Sequence, residues 1–279
     1  MRLRFTKMHG LGNDFLIFDL ISQNFTVSSA LVKKLSDRNL GIGFDQCLTV
    51  QPPTSPDCDF RYNIYNADGS ESAQCGNGAR CLSRFVIDEG LTTKSSIILE
   101  TKDGELICKS KEDGNVTVDM GVPMFQPKQI PFLADNQQNS YELHLGTKEF
   151  KGIRVSALSV GNPHAVVIVP LAAEAAVKEI GPLVERHARF PDGVNVSFMQ
   201  IKSRKEIELR VFERGVGETM ACGSGACAAV VAGKMLGLLD SLVNVDLPGG
   251  RLNIIWEGEG DTVKMTGPTC KVYEGSVSV

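Results

Sequence analysis

The sequence predicts an α+β protein of two similar, pseudo-symmetric halves, each with a mainly antiparallel sheet around a central helix. Two observations lead to this fold class. A strand–loop–helix segment occurs twice in the chain, and turn signals separate β-rich runs after each helix. The size also fits, because 279 residues with 42% hydrophobic content are enough for two cores.

The repeat begins with a strand and continues into a cysteine motif. Residues 60–66 alternate in strand fashion, and residues 207–213 do the same 147 positions later. The loops that follow read ESAQCGNGA at residues 71–79 and ETMACGSGA at residues 218–226. Cys75 and Cys222 therefore occupy equivalent positions in the two halves.

A helix is predicted after each cysteine, because the apolar residues recur at helical spacing. The second helix is apolar almost all round, which predicts that it is the more buried of the two. Gly90 and Gly237 each lie fifteen residues beyond their cysteine, where a left-handed C-terminal cap is expected. Turn signals at residues 103–104 and 248–250 predict a hairpin after each helix.

These landmarks define two domains, residues 1–120 and 121–267, joined through the proline-containing stretch 123–131. Equivalent residues in two such halves would face a shared cleft, which is the expected active site. The tail, residues 268–279, is expected to return to the first domain as an extra strand or to lie at a subunit contact.

Composition argues against several classes of function. The net charge of -4 is spread along the chain without a basic stripe, so nucleic acid is not expected as a partner. Charges interrupt the first twenty residues, and no apolar run approaches the length of a membrane span. We therefore expect a cytoplasmic protein without a membrane partner. Because no secretion signal is recognised, the eight cysteines are expected to be reduced thiols, and the lack of a Cys-x-x-Cys spacing or a nearby His pair argues against a metal site.

The two cysteine motifs are typical of acid/base chemistry at a stereocentre. A cysteine at a helix start lies near backbone N–H groups and the positive helix end, which favour the thiolate. Inverting a stereocentre requires a base on one face and an acid on the other. One thiolate and one thiol, contributed by Cys75 and Cys222, satisfy this requirement. The N–H groups of the two helix starts are suited to hold a substrate carboxylate.

Other interpretations remain open from the residues alone. A single cysteine before Gly-x-Gly is more often structural. The pair also fits a thiol redox protein that forms a Cys75–Cys222 disulfide, or a non-catalytic amino-acid binding module. A phosphate loop is disfavoured, because residues 76–78 lack the lysine and spacing of a Walker motif. No motif in the chain requires pyridoxal phosphate, so no cofactor is expected.

Several segments together resemble the diaminopimelate epimerase family. They are KMHGLGNDF (7–15), GIGFDQ (41–46), NADGS (66–70), QCGNGAR (74–80), GNPH (161–164), ER (213–214) and ACGSGA (221–226). The resemblance implies interconversion of LL- and meso-2,6-diaminopimelate, without a cofactor, in lysine and peptidoglycan precursor biosynthesis. It assigns the catalytic roles to Cys75 and Cys222. It also implies substrate contacts at Asn13, Gln46, Asn66, Gly76, Asn77, Asn162, Asn195, Glu213, Arg214, Gly223 and Ser224.

The resemblance carries three further expectations. His164 and Glu213 are expected to tune the pKa values of the two thiols, and Tyr273 is expected at a homodimer contact. The planar guanidinium of Arg214 and the carboxylate of Glu213 suit the distal amino-acid end of diaminopimelate. A proline or hydroxyproline racemase of the same fold is the alternative within this group, but its first motif typically reads Cys-Gly-His-Gly, whereas residue 77 is Asn here.

Overall fold

A computed structural model describes residues 1–72, 75–147 and 149–279. The chain forms two compact units, Met1–Asp119 with Thr266–Val279 and Met120–Met265. Ala73 and Gln74, which belong to the first cysteine motif, lie outside the described residues.

Strands dominate both units, and helices are few. In chain order the elements are β1 (Arg2–Gly10), β2 (Asn13–Asp19), α1 (Ser29–Ser36), β3 (Gln46–Gln51), β4 (Phe60–Asn66), β5 (Glu71–Ser72), α2 (Gly76–Asp88), β6 (Ser96–Thr101), β7 (Gly104–Ser110), β8 (Val116–Asp119), a 3-10 helix (Pro127–Gln129), β9 (Tyr141–His144), β10 (Gly152–Ser159), β11 (Pro163–Ile168), α3 (Val177–Glu185), β12 (Asn195–Ser203), β13 (Glu206–Glu213), β14 (Gly217–Thr219), α4 (Gly223–Met235), β15 (Leu242–Leu247), β16 (Gly250–Ile255), β17 (Lys264–Gly267) and β18 (Cys270–Ser278).

In the first unit, β1 lies between β18 and β2, and both pairings are antiparallel. The parallel pair β2–β3 and the antiparallel pair β3–β4 continue the sheet. Strand β4 also pairs with β5 in antiparallel and with β6 in parallel orientation. Strands β6, β7 and β8 form an antiparallel meander. Helix α2 contacts β1, β7 and β8, so it lies across this sheet.

The second unit repeats the same order of pairings. Strands β9, β10 and β11 pair antiparallel, β11 pairs with β12 in parallel, and β12 pairs with β13 antiparallel. Strand β13 then pairs with β14 and, in parallel, with β15, which forms a hairpin with β16. Helix α4 contacts β10, β11, β12 and β16. The shared topology confirms the prediction of two similar α+β halves.

Both cysteine-preceded helices are largely buried. The sequence predicts that α4 is the more buried, but this is wrong, because ten of thirteen residues are buried in each helix. The reason is that α2 buries polar side chains as well, namely Asn77, Arg80 and Ser83. Gly90 and Gly237 follow the helices with φ of +68° and +73°, which confirms the predicted left-handed caps.

Each unit has its own apolar core. In the first, Leu16, Phe18 and Phe44 belong to one cluster of buried side chains. In the second, Phe190 and Phe198 belong to another. Among the helices of the described residues, none combines the length and the apolar character needed to cross a membrane.

Candidate active site

Cys75 and Cys222 occupy the same position at a helix start in the two units. Each is the N-cap residue, with extended backbone, of a helix of 13 residues, α2 or α4. Each sulfur accepts a hydrogen bond from the backbone N–H of the third residue after it, Gly78 or Gly225, at 3.4 Å. Such a bond satisfies a donor that helix geometry leaves without an intrahelical partner. Both cysteines therefore lie where the repeat predicts them.

The thiol of Cys75 lies beside the amide side chain of Asn13 in its own unit. Its sulfur lies 3.8 Å from Asn13 Oδ1, and Asn77 Nδ2 donates to the same oxygen at 3.3 Å. Asn13 is held from its other end, because its Nδ2 donates to the Asp45 carboxylate at 3.0 Å. A carboxylate only accepts hydrogen bonds, so it determines which end of the Asn13 amide faces the thiol.

Asp45 belongs to a charged network that the sequence reasoning did not include in the site. Arg38 donates to both oxygens of Asp14, at 2.9 and 3.0 Å, and to Asp45 at 2.8 Å. Burial acts to raise the pKa of Asp14, but hydrogen bonds and charge attraction from Arg38 and Lys7 outweigh it and lower the pKa to about 2. The available signal was the position of Asp45 directly before Gln46 in the GIGFDQ motif.

Gln46 and Asn66 are cross-strand partners at one end of β3 and β4. Gln46 Nε2 donates to Asn66 Oδ1 at 3.0 Å, and Asn66 Nδ2 donates to Ser70 Oγ at 3.1 Å. These bonds hold the two amides in one orientation. On the other side of β3, Gln46 pairs with Phe15, two residues after Asn13 on β2.

The thiol of Cys222 is almost completely buried, with 4% of the residue exposed. Its sulfur lies 3.6 Å from Ser224 Oγ. Burial, and then the charge of Glu213, raise the pKa of this thiol well above its ordinary value, although hydrogen bonds from Ser224 and Gly225 act in the opposite direction. The expectation that the helix start favours a thiolate is thus wrong for Cys222. Desolvation and a neighbouring carboxylate outweigh the helix N–H groups.

His164 and Asn195 are buried partners in the parallel pair β11–β12. His164 Nε2 lies 2.9 Å from Asn162 Oδ1. Asn195 donates to the Pro163 carbonyl at 3.1 Å and accepts from the Arg214 backbone N–H at 3.0 Å. Burial, and then the positive charge of Arg214, lower the pKa of His164 from 6.5 to about 3. His164 is therefore a neutral imidazole at neutral pH.

Glu213 and Arg214 lie at the end of β13, where the sheet gives way to a turn. Glu213 accepts a hydrogen bond from Thr219 Oγ1. Arg214 is exposed, and its Nη1 donates to the Asp192 carbonyl at 2.9 Å. A guanidinium carries five N–H donors in a planar fork, so Arg214 retains donors for a ligand carboxylate.

The remaining predicted residues lie at the starts of α2 and α4 and on β18. Gly76 and Gly223 are buried first residues of α2 and α4, and Ser224 follows Gly223. Tyr273 lies on β18, opposite Lys7 of β1, and is 45% exposed. Its ring makes an edge contact with Phe5 at a centroid distance of 5.9 Å.

Among the described residues, no other cysteine is the N-cap of a helix. Burial raises the pKa of Cys81 and Cys108 to about 12, so both remain neutral thiols. Cys47 and Cys227 are also fully buried, whereas Cys270 is exposed. Within the described part of the chain, no group of three or more His, Cys, Asp or Glu side chains is arranged to hold a metal ion.

Several solved structures have the same fold as this chain. A hydroxyproline epimerase from Agrobacterium vitis aligns with a TM-score of 0.70 at 15% identity, covering 99% of this chain and 92% of that chain. A predicted epimerase from Pseudomonas aeruginosa aligns with a TM-score of 0.68 at 15% identity, covering 99% of both. A phenazine biosynthesis protein of the PhzF family from Bacillus anthracis gives 0.68 at 16% identity, covering 100% of both. This chain therefore shares the fold of these three proteins.

Sequence comparison is more specific. The family model described as diaminopimelate epimerase matches residues 5–126 and 156–272. The chain is 53% identical over 277 residues to the diaminopimelate epimerase of Ectopseudomonas mendocina (strain ymp), covering 99% of both. It is 54% identical over 279 residues to that of Teredinibacter turnerae, covering 100% of both. This chain belongs to the diaminopimelate epimerase family, which is a family of isomerases.

Proposed function

We propose that this protein interconverts LL- and meso-2,6-diaminopimelate by proton transfer at one α-carbon, without a cofactor. The observation that carries the proposal is the matched pair of cysteines, each an N-cap of an equivalent helix, in a chain at least 53% identical to named diaminopimelate epimerases. The two-cysteine mechanism and the substrate contacts are our proposal. They rest on the geometry within each unit.

The reaction requires two protein groups and one planar intermediate. A thiolate takes the α-proton, the electron pair of the broken C–H bond remains on the α-carbon, and a thiol returns a proton to the opposite face. Atoms and charge balance, because one cysteine gains the proton that the other loses. We assign the proton donor of this pair to Cys222, because burial and the charge of Glu213 raise the pKa of its thiol. Cys75 then acts as the base, and the roles exchange in the reverse direction.

The carbanion needs stabilisation, since the α-proton of an amino acid is only weakly acidic. The first N–H groups of α2 and α4, contributed by Gly76, Asn77, Gly223 and Ser224, are suited to bind the α-carboxylate. The amide side chains of Asn13, Gln46, Asn66, Asn162 and Asn195 are proposed to orient the substrate. Asn195 acts in part indirectly, because both ends of its amide already bond to the backbone of Pro163 and Arg214.

The distal amino-acid end of diaminopimelate is assigned to Arg214 and Glu213. The guanidinium of Arg214 would bind the distal carboxylate in bidentate fashion, and Glu213 would accept from the distal ammonium. We expect Arg214→Ala to lose discrimination between diaminopimelate and a monocarboxylic amino acid in competition assays. Unchanged discrimination would show that this assignment is wrong.

The primary test follows the transferred hydrogen. LL-diaminopimelate is incubated in deuterated water without added cofactor, and the products are separated and analysed by mass spectrometry. The meso isomer should accumulate with one deuterium at a single α-carbon. Absence of turnover, or turnover only after pyridoxal phosphate is added, would contradict the proposal.

Serine variants separate the proposal from the two other interpretations. Cys75→Ser and Cys222→Ser should each reduce turnover by about a hundredfold or more, because each removes one acid/base group. Cys270→Ser, at an exposed cysteine, should retain the wild-type rate. If the protein were a redox protein, the serine variants would instead lose disulfide exchange. If it were a binding module, the wild type would show no turnover and the variants would keep their affinity for the amino acid.

We also propose that the protein is a cytoplasmic homodimer with Tyr273 at the subunit contact. The support is an aromatic side chain left 45% exposed on β18. In sedimentation experiments the wild type should behave as a dimer and Tyr273→Asp should shift it towards monomer. A monomeric wild type would refute this part alone.

A further inference from the structure

Tyr62 contacts the backbone of Cys75, the N-cap residue of α2. It is part of β4 and only 1% exposed. Its hydroxyl donates a hydrogen bond to the carbonyl oxygen of Cys75 at 3.2 Å. The same oxygen accepts from the Ala79 N–H at 2.8 Å, which is the first bond of α2. The backbone of the N-cap residue is therefore held from two directions, by the sheet and by the helix.

The Tyr62 hydroxyl also lies against Gly78. A Cβ atom built on Gly78 would overlap with that hydroxyl. Gly78 is the residue whose N–H donates to the Cys75 sulfur at 3.4 Å. Tyr62 thus touches both residues that determine where this sulfur lies, one through a hydrogen bond and the other through close packing.

The hydroxyl is a permanent donor. Burial, and then the negative charge of the Cys75 thiolate, hold the pKa of Tyr62 well above its ordinary value. Burial favours the neutral form of a phenol, and nearby negative charge adds to this effect. The phenol therefore remains protonated throughout the range in which a thiol ionises. The hydrogen bond that its hydroxyl donates to the Cys75 carbonyl is therefore present at every pH in this range.

The second unit does not repeat this arrangement. The residue equivalent to Tyr62 is Leu209, which pairs with Met199 as Tyr62 pairs with Val50. A leucine has no hydroxyl to donate. A Cβ built on Gly225 would instead lie 3.2 Å from Ser197 Oγ, a tighter contact than usual but no overlap. The common fold therefore does not require a tyrosine at this position, and the tyrosine is specific to the Cys75 side.

We propose that Tyr62 is a positioning residue for Cys75. Its hydroxyl holds the carbonyl of the N-cap residue and excludes any side chain at residue 78, and so it presents the thiol in one direction at the start of α2. This inference rests on the proposed acid/base role of Cys75. Tyr62 itself needs no contact with the substrate.

The test compares Tyr62→Phe with Tyr141→Phe, a matched control. Tyr141 is also buried and also donates from its hydroxyl to a backbone carbonyl, that of Asn136 at 3.3 Å, but it lies on β9. For Tyr62→Phe we expect kcat to fall about tenfold while KM stays within about twofold, because misplacement of a reacting group affects the chemical step. Tyr141→Phe should match the wild type in both constants.

A second readout needs no substrate. Trypsin cleavage after Arg61 and Arg80 releases a peptide in which Cys75 is the sole cysteine, so its alkylation by iodoacetamide is measurable by mass spectrometry. The pH profile of this alkylation should differ between Tyr62→Phe and the wild type, and should be unchanged in Tyr141→Phe. Identical kcat and alkylation profiles in the two tyrosine variants would overturn the inference. A wild type that does not convert diaminopimelate would refute the proposed function, and the alkylation comparison would still decide the role of Tyr62.

A pair of glycine variants tests the geometry independently. Gly78→Ala should lower Tm in the wild-type background, because the new Cβ overlaps with the Tyr62 hydroxyl. The same substitution should lower Tm less in the Tyr62→Phe background, since the overlapping atom is absent. Equal losses in the two backgrounds would show that the contact does not exist.

Discussion

The neutral, buried state of His164 predicts a specific loss of stability in mild acid. The folded pKa is about 3, whereas the ordinary value is 6.5. Below pH 6.5 the unfolded chain binds a proton at this residue and the folded chain does not. The contribution of His164 to the free energy of unfolding is therefore fully present above pH 6.5 and is lost progressively as the pH falls towards 3. His164→Gln should remove this dependence, because an amide keeps a polar contact with Asn162 and does not titrate.

The size of the effect follows from the two pKa values. Each pH unit between them changes the free energy of unfolding by about 1.4 kcal/mol. At pH 7 most unfolded chains are already neutral at this residue, so the loss is concentrated below pH 6.5. Between pH 7 and pH 5 the wild type should lose about 2 kcal/mol more than His164→Gln.

The chain offers a convenient probe for this measurement. Trp256 is the single tryptophan, is 1% exposed and lies in the same unit as His164. Urea unfolding followed by its fluorescence at pH 7, 6 and 5 therefore reports the stability of that unit. His144→Gln is the control, because His144 is exposed and its replacement should keep the wild-type pH dependence. Parallel pH dependences for the wild type and His164→Gln would refute the reasoning.

Three further predictions concern the site itself. Glu213→Gln should lower the pKa of Cys222, since it removes a negative charge beside the sulfur. Alkylation of Cys222, measured by peptide mass spectrometry, should then occur at lower pH. An unchanged profile or a shift to higher pH would contradict the effect assigned to Glu213. Asp45→Ala should raise KM for diaminopimelate about tenfold, because Asn13 loses the carboxylate that orients its amide, whereas the exposed Glu112→Ala should leave KM unchanged. The rate of epimerisation should show a bell-shaped pH dependence, since one thiol must be ionised and its partner protonated. If proton transfer limits the rate, a flat profile across the pH range in which thiols ionise would argue against two-thiol catalysis.

Local patterns in the sequence were sufficient to predict the fold and the two cysteines at helix starts, whereas the other candidate residues came from the family resemblance. Alternation predicted β4 and β13, the spacing of apolar residues predicted the helices after Cys75 and Cys222, and glycines predicted their C-terminal caps. Duplication of these patterns predicted that the two halves share a topology. Such features depend on neighbours within a few residues, so a linear sequence displays them directly.

The properties of the thiols and their supports depended on the tertiary structure. Burial and the position of Glu213 reverse the expected effect of the helix start on Cys222. Asp45 and Tyr62 reach their partners across 32 and 13 residues of chain, and the partner of Tyr62 is a backbone carbonyl that no sequence pattern marks.

The sequence by itself thus determined that this protein has two helix-capping cysteines in duplicated α+β halves and belongs with the epimerases. Only the tertiary structure showed that Cys222 is buried beside Glu213, which raises the pKa of its thiol, and which side chains contact the sulfurs. The physical reason is that secondary structure follows from local periodicity. Desolvation and electrostatic interactions, in contrast, are sums over groups that folding brings together from distant parts of the chain.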